Sequence, residues 1–238
     1  GTSKPGPDGA PAFWLSPGNP DTPEAPPFNM ALTVGDNTSR LAGVSSADAD
    51  EWAFTSHQNA IRAIDEGRFE NEIVPVDLPG GGQFTTDEHP RRNSTLEKMA
   101  SLGVLNPDVA GATTTAVNSS GLNDAAAALV LCSREYAESH GLKPLAAIRG
   151  WASVGLDPVE TGLAPQKALP KALAKSGIAL GDLQSVEVNE AFASVAVAFT
   201  QGLGLDPSIV NVNGSGCSLG HPIACTGARM IVTMVHEL

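Results

Sequence analysis

Asn211-Val212-Asn213-Gly214-Ser215-Gly216-Cys217-Ser218-Leu219-Gly220-His221-Pro222, followed by the apolar run Ile223 to Leu238, reads as strand, loop and helix in that order. Ser208 to Val212 is an apolar, strand-like entry, and the loop behind it holds Gly214, Gly216 and Gly220. Glycines at this density let a ligand come close to backbone N–H groups. His221 stands where the helix is expected to begin, and Pro222 suits its first turn. An imidazole at the positive end of a helix dipole favours its neutral, proton-accepting form. That is the setting of a general base.

A second stretch lies upstream, at Val186-Glu187-Val188-Asn189-Glu190-Ala191-Phe192-Ala193. Ser185 to Val188 reads as a short buried strand and Ala191 to Phe199 as a mostly buried helix. Asn189 and Glu190 therefore sit at a strand-to-helix switch, where α/β proteins place ligand chemistry. An amide there can hold a water or share in an oxyanion site. Glu190 is expected to orient its neighbours by hydrogen bonds rather than to react.

Alone, each of these residues has a plainer reading. His221 could be a helix-start histidine satisfied by backbone, and Asn189 a turn or cap residue. In combination, and joined by Asn118-Ser119-Ser120-Gly121-Leu122-Asn123-Asp124, the chain resembles the thiolase family from about Phe28 to Leu238. The resemblance implies an α/β, layered α-β-α-β-α fold, incomplete, with a helix- and loop-rich covering insert. It implies acyl transfer between a cysteine thiol and coenzyme A, with a carbon–carbon bond made or broken beside a thioester. His221 would be the base and an oxyanion donor, and Asn189 would hold an oxyanion water. Ser120, Ala191 and Phe192 would line the pantetheine pocket, with Gly220 and Pro222 beside the substrate.

Arg91, Arg92 and Lys98 are the candidates for the coenzyme A phosphates. Where the family carries a basic Leu-Arg-Pro stretch, this chain has Leu102-Gly103-Val104, a departure that bears on the cofactor-side arginine. The family's nucleophilic cysteine and its second, Cys-x-Gly cysteine match no residue here, so a partial chain is expected. Cys217, four residues before His221, falls on an apolar loop position of the family, and Cys225 and Cys132 are read as packed. One Cys-x3-His spacing with no second ligand pair gives no zinc site. A non-catalytic relative that binds acyl-CoA, or a subunit of a larger assembly, is the alternative.

The composition sets outer bounds. The 238 residues are 42% hydrophobic and 17% charged, a soluble, globular balance with length for one or two domains. A net charge of −12 without a Lys/Arg stripe argues against nucleic acid. No run of about 18 apolar residues marks a membrane span, and no charged-then-apolar start marks a signal peptide. Three cysteines without framework spacing fit a reducing compartment, expected to be the cytoplasm. Coenzyme A and acyl-CoA enter as substrates, with no permanently bound cofactor, and a homodimer or homotetramer is the assembly the resemblance implies.

Along the chain, Gly1 to Pro27 reads as an extended, loop-like segment with Phe13 and Trp14 as anchors. Helices are expected over Asn29–Ala42, from an N-cap at Ser45-Ser46 to a stop at Gly67, over Thr95–Leu102, from Ser133 to Gly141, and over Pro165–Ser176 with a stop at Gly177. Strands are expected at Glu72–Val76, Ala112–Val117, Ala125–Leu131 and Leu145–Val154. A boundary near residue 115 divides a covering insert, 1–115, from an α/β portion, 116–238.

Overall fold

A computed structural model describes residues 2–5, 11–14, 22–26 and 30–238. The buried centre is a helix, α6 (Ala193–Leu203), in which every residue from Ala193 to Thr200 is buried. Its Ala/Val content leaves no polar face, so it must be covered all round. Helix α1 (Met30–Ala42) and helix α2 (Ser46–Asp65) pack against it. Ala49, Ala53, Ala193, Val197, Ala198 and Cys217 form one apolar cluster, in which small side chains let the helices approach.

Gly35 marks the closest approach of α1. A Cβ there would stand 2.8 Å from the Phe192 ring and would overlap the Thr114 hydroxyl. In its place, Ser194 Oγ donates to the Gly35 carbonyl at 3.0 Å.

Helix α2 starts as its sequence demands. Ser45 Oγ accepts from the Asp48 N–H at 3.1 Å, while the Asp48 carboxylate accepts from the Ser45 N–H at 3.0 Å. This reciprocal cap satisfies two of the helix's orphan donors. Thr95 and Ser133 cap α3 (Leu96–Ala100) and α4 (Arg134–Ser139) from one side, each hydroxyl accepting an N–H, from Lys98 and Tyr136. Helix α5 (Ala164–Ser176) ends on Gly177 in the left-handed region, at φ +71°.

A second apolar cluster joins Val186, Val188, Ala196, Phe199 and Val210. Burying each large side chain of this set contributes about 1.5–3 kcal/mol. Here the segments leading to the two sequence motifs run side by side. Val186 donates to Ile209 O and Asn211 donates to Val186 O, each at 2.9 Å, in a parallel bridge of Val186 with Val210. After it come the four-residue helix α7 (Gly216–Leu219) and the final helix α8 (Thr226–Glu237).

Several expected elements differ. Residues 112–117 do not form a strand, because Asp36 and Asn118 take their backbone donors. Asp36 Oδ1 accepts from Thr113 and Thr114 N–H, and Asn118 Oδ1 accepts from Thr115 N–H. Residues 120–132 and 142–157 run without ladder partners, so the expected strands Ala125–Leu131 and Leu145–Val154 are absent. A strand exists only through hydrogen bonds to a neighbour, whatever its side-chain pattern. Leu122, Val130, Leu131, Leu145, Ile148 and Trp151 are exposed as a result, and so is Cys132, which was expected to be packed.

The strand expected at Glu72–Val76 is reduced to two residues, Val76–Asp77, paired antiparallel with Gln83–Phe84. Within Gly1 to Pro27, where a loop-like segment was expected, Thr2–Pro5 and Pro11–Trp14 pair as antiparallel strands. The Phe13 and Trp14 side chains, and residues 27–29, lie outside the described residues. Among the described residues, no helix is long and apolar enough to cross a membrane.

Candidate active site

His221 and Asn189 come from loops separated by 32 residues, and the parallel bridge behind them brings their side chains together. Asn189 Nδ2 lies 3.3 Å from His221 Nε2. On the other side of the ring, His221 Nδ1 is 2.8 Å from Thr226 Oγ1. The Thr226 hydroxyl itself donates to the Pro222 carbonyl at 3.0 Å. With its hydrogen committed there, Thr226 accepts from Nδ1–H. The basic lone pair is thereby placed on Nε2, where Asn189 donates to it.

This corrects the expected helix start. Helix α8 begins at Thr226, and residues 222–225 are a turn closed by Cys225 and Thr226 N–H bonds to Pro222 O. The first residue of α8, rather than the helix dipole acting directly on the ring, orients the imidazole. Burial, and secondarily the Arg229 guanidinium, lower the His221 pKa from its ordinary 6.5. Both causes favour the neutral ring.

Beneath this pair lies the hydrogen-bonding Glu190 that the sequence leads one to expect, with partners from α2, Trp52 and Ser56, that neither motif contains. Glu190 is fully buried and meets four donors from three parts of the chain. Oε1 accepts from Trp52 Nε1 and Asn211 Nδ2, both at 2.8 Å. Oε2 accepts from Ser56 Oγ at 2.7 Å and from the Cys217 N–H at 3.1 Å. Gly216 packs directly on this turn, where a Cβ would meet the Glu190 carbonyl at 2.5 Å and Asn189 Oδ1 at 2.9 Å. Gly216 is thus required for close approach rather than for a special φ.

Asn189 Oδ1 and Asn123 Oδ1 are buried without a hydrogen-bond partner. Asn123 lies against Gly220, the residue before His221, whose φ of +93° excludes most side chains. Both unanswered acceptors lie against the loop that carries His221, and they suit a ligand or water that brings N–H or O–H donors.

Charge around the site is arranged through Arg229. Its Nη2 donates to Ser215 Oγ at 3.2 Å and its Nη1 lies 3.4 Å from Glu187 Oε2. Burial pushes Glu187 up to about 8 against the pull of Arg229, with Glu190 adding to the rise. Burial, reinforced by Glu190, also pushes the Cys217 thiol up. Its Sγ donates to Glu190 O at 3.7 Å, so Cys217 is a packed thiol rather than a nucleophile. Cys225 is buried as well.

The remaining sequence candidates fall into two groups. Ser120, Ala191 and Phe192 sit together, with Ser120 N–H donating to Ala191 O at 3.0 Å and Ser119 bridged to Phe192. Arg91, Arg92 and Lys98 are exposed on and before α3. Arg92 is engaged by Asp65, at 2.9 and 2.6 Å, and Lys98 Nζ donates to Asn93 O at 3.3 Å. Among the described residues, no group of three His, Cys, Asp or Glu side chains could hold a metal ion.

Residues 27–135 match the family model of the thiolase N-terminal domain, and residues 142–238 match that of the thiolase C-terminal domain. The chain belongs to the thiolase family. Beta-ketothiolase BktB of Cupriavidus necator is 46% identical over 214 residues, covering 89% of this chain and 54% of that protein. The acetyl-CoA acetyltransferase of Escherichia coli is 43% identical over 216 residues, again covering 89% and 54%.

The fold agrees. The crystal structure of the Bacillus anthracis acetyl-CoA acetyltransferase superposes with a TM-score of 0.81 at 43% identity, over 86% of this chain and 52% of that one. Human mitochondrial 3-ketoacyl-CoA thiolase superposes with a TM-score of 0.80 at 35% identity, over 89% and 53%. This thiolase chain therefore has the α/β thiolase fold in part, and spans about half the length of the curated relatives it matches.

Proposed function

We propose that this chain supplies the His221–Asn189 part of a thiolase-type acyltransferase site, acting on coenzyme A and 3-ketoacyl-CoA. The observation that carries the reading is a neutral imidazole with its basic nitrogen 3.3 Å from an amide donor. In the thiolysis direction, His221 Nε2 takes the proton of an attacking thiol, and the thiolate adds to the substrate carbonyl. The resulting oxyanion is stabilised from the Asn189 side. Collapse expels the acetyl-CoA carbanion, which takes up one proton to match the one the thiol lost; the coenzyme A thiol then takes the acyl group from sulfur and frees the first thiol.

In this reading the acyl-carrying cysteine is none of Cys132, Cys217 and Cys225; it comes from the part of the family's length that this chain does not span. Ser120, Ala191, Phe192, Gly220 and Pro222 line the thioester arm. Arg91, Arg92 and Lys98 face the coenzyme A phosphates, Arg92 after release from Asp65. Residues 1–115 cover the acyl-CoA arm and residues 116–238 form the layered portion. A cytoplasmic homodimer or homotetramer with no permanently bound cofactor completes the proposal, resting on the family relationship.

The test is a hybrid in which residues 30–238 replace the matching segment of the Escherichia coli acetyl-CoA acetyltransferase. Expected is coenzyme A-dependent cleavage of acetoacetyl-CoA by the hybrid. His221→Ala should lower kcat by roughly 10²–10⁴-fold, the range for a lost general base. Asn189→Ala should lower it by roughly 10²–10³-fold. A folded hybrid that binds acetyl-CoA without turnover would favour the non-catalytic binder, and one that neither binds nor turns over would sink the proposal.

A further inference from the structure

We infer that Asn211 is the positioning residue that sets Asn189 against His221, a role that rests on the acyl-transfer reading of that pair. Among the described residues, Asn211 is the non-glycine residue with a positive φ, at +50°. It is 2% exposed, and its side chain is fully used. Oδ1 accepts from the Val188 N–H at 2.8 Å, and Nδ2 donates to the Val188 carbonyl at 2.9 Å. The same Nδ2 donates to Glu190 Oε1 at 2.8 Å. One amide thus grips the residue before Asn189 and the residue after it.

The backbone ladder cannot do this work. Its hydrogen bonds join Val186 to Ile209 and Asn211, and stop there. The Asn211 side chain continues the ladder to Val188, acting as a substitute peptide group. Few residues can fill the position. Asparagine tolerates the left-handed region and offers one acceptor with two donors on a single short arm. Glycine adopts the backbone but has no amide, and aspartate has no donor for Val188 O or for Glu190. A strained residue of this kind persists where the surroundings over-determine it.

The position of Asn211 in the chain gives the grip its use. It heads the same loop that ends ten residues later in His221. Holding Val188 and Glu190 to the head of that loop fixes both partners of the 3.3 Å contact to one point. The other bonds on Glu190, from Trp52, Ser56 and Cys217, hold its carboxylate but do not reach Val188, and Ser215 Oγ, which also donates to Val188 O at 3.2 Å, does not bond the Glu190 carboxylate.

The experiment is a pH titration of the isotopically labelled 238-residue chain followed by nuclear magnetic resonance. In the unmodified chain, the Asn189 side-chain amide signals should move with the His221 ring titration. Asn211→Gly, which takes the backbone without strain, should abolish that shared titration. Asn211→Asp, which keeps the acceptor for Val188 N–H, should abolish it too and covers the case in which the glycine variant does not fold. Val186→Ala removes packing beside the ladder and leaves its backbone bonds and the grip in place, so it should lower the urea midpoint and leave the shared titration in place. Shared titration retained in both Asn211 variants would overturn the inference, as would its absence from the unmodified chain or its equal loss in Val186→Ala. Failure of the acyl-transfer reading is separate, since it shows as a hybrid without turnover while this titration persists.

Discussion

His57 shows what one buried group contributes to the behaviour of the chain in acid. It is 1% exposed, accepts from the Arg91 N–H at Nδ1 at 3.2 Å, and stacks on His89 with ring centroids 6.2 Å apart. Burial, then the positive charge of His89 and Arg91, lowers its pKa from 6.5 to about 4. The folded chain therefore binds a proton there less readily than the unfolded chain. The stabilisation is full above 6.5 and is lost as pH falls through about 4. The window corresponds to about 3 kcal/mol. Glu187 works in the opposite sense, its contribution being lost as pH rises through about 8. Because Glu187 gains over part of the same range, the His57 contribution is read as a difference: between pH 6.5 and 4 the urea midpoint of the unmodified chain should fall relative to that of His57→Gln. Equal slopes in the two proteins would place the acid sensitivity elsewhere. At this scale, Asn189 and His221 were singled out by the motifs that carry them, not by an element boundary, and the structure brings the two side chains to 3.3 Å. Trp52, Ser56 and Thr226 were not, because their roles depend on which element folds against them. Asn211 opens the motif that ends at His221, and its positive φ and its side-chain bonds to Val188 and Glu190 set it apart from a strand residue.

Helix boundaries were the most readable elements, since caps are local chemistry. Ser45, Thr95 and Ser133 each carry an oxygen that their own helix's N–H groups need, and Gly177 accepts a left-handed turn at no steric cost. The strands failed for the complementary reason, that a strand is a relation between two segments. The contact of α1 with α6 gives a test at this level. Replacing Gly35 by alanine would ordinarily stabilise a helix interior by about 0.5–1 kcal/mol. Here the added methyl enters the space of Thr114 and Phe192, and overpacking costs about 1–3 kcal/mol. The second effect is the larger, so Gly35→Ala should lower the urea midpoint, and a rise would mean that Phe192 yields freely.

The whole molecule presents an apolar ribbon over residues 120–132 and 142–157, where Leu122 is 99% and Val130 93% exposed. Exposed apolar area on this scale drives association. The 238-residue chain should bind an apolar dye and sediment as more than a monomer at micromolar concentration. Val130→Glu with Ile148→Lys should reduce both signals, and a monomer that ignores the dye would remove the ribbon as their source. The Glu190 carboxylate has a different consequence for the whole. Its donors are drawn from positions up to 138 residues away, so the acid finds its partners only after the longest loops have closed. The Trp52 indole and the Cys217 amide should therefore exchange hydrogen with solvent only through global opening. A molecule still folding would hold no half-made site, and the slowest-exchanging protons of the chain would mark its chemistry.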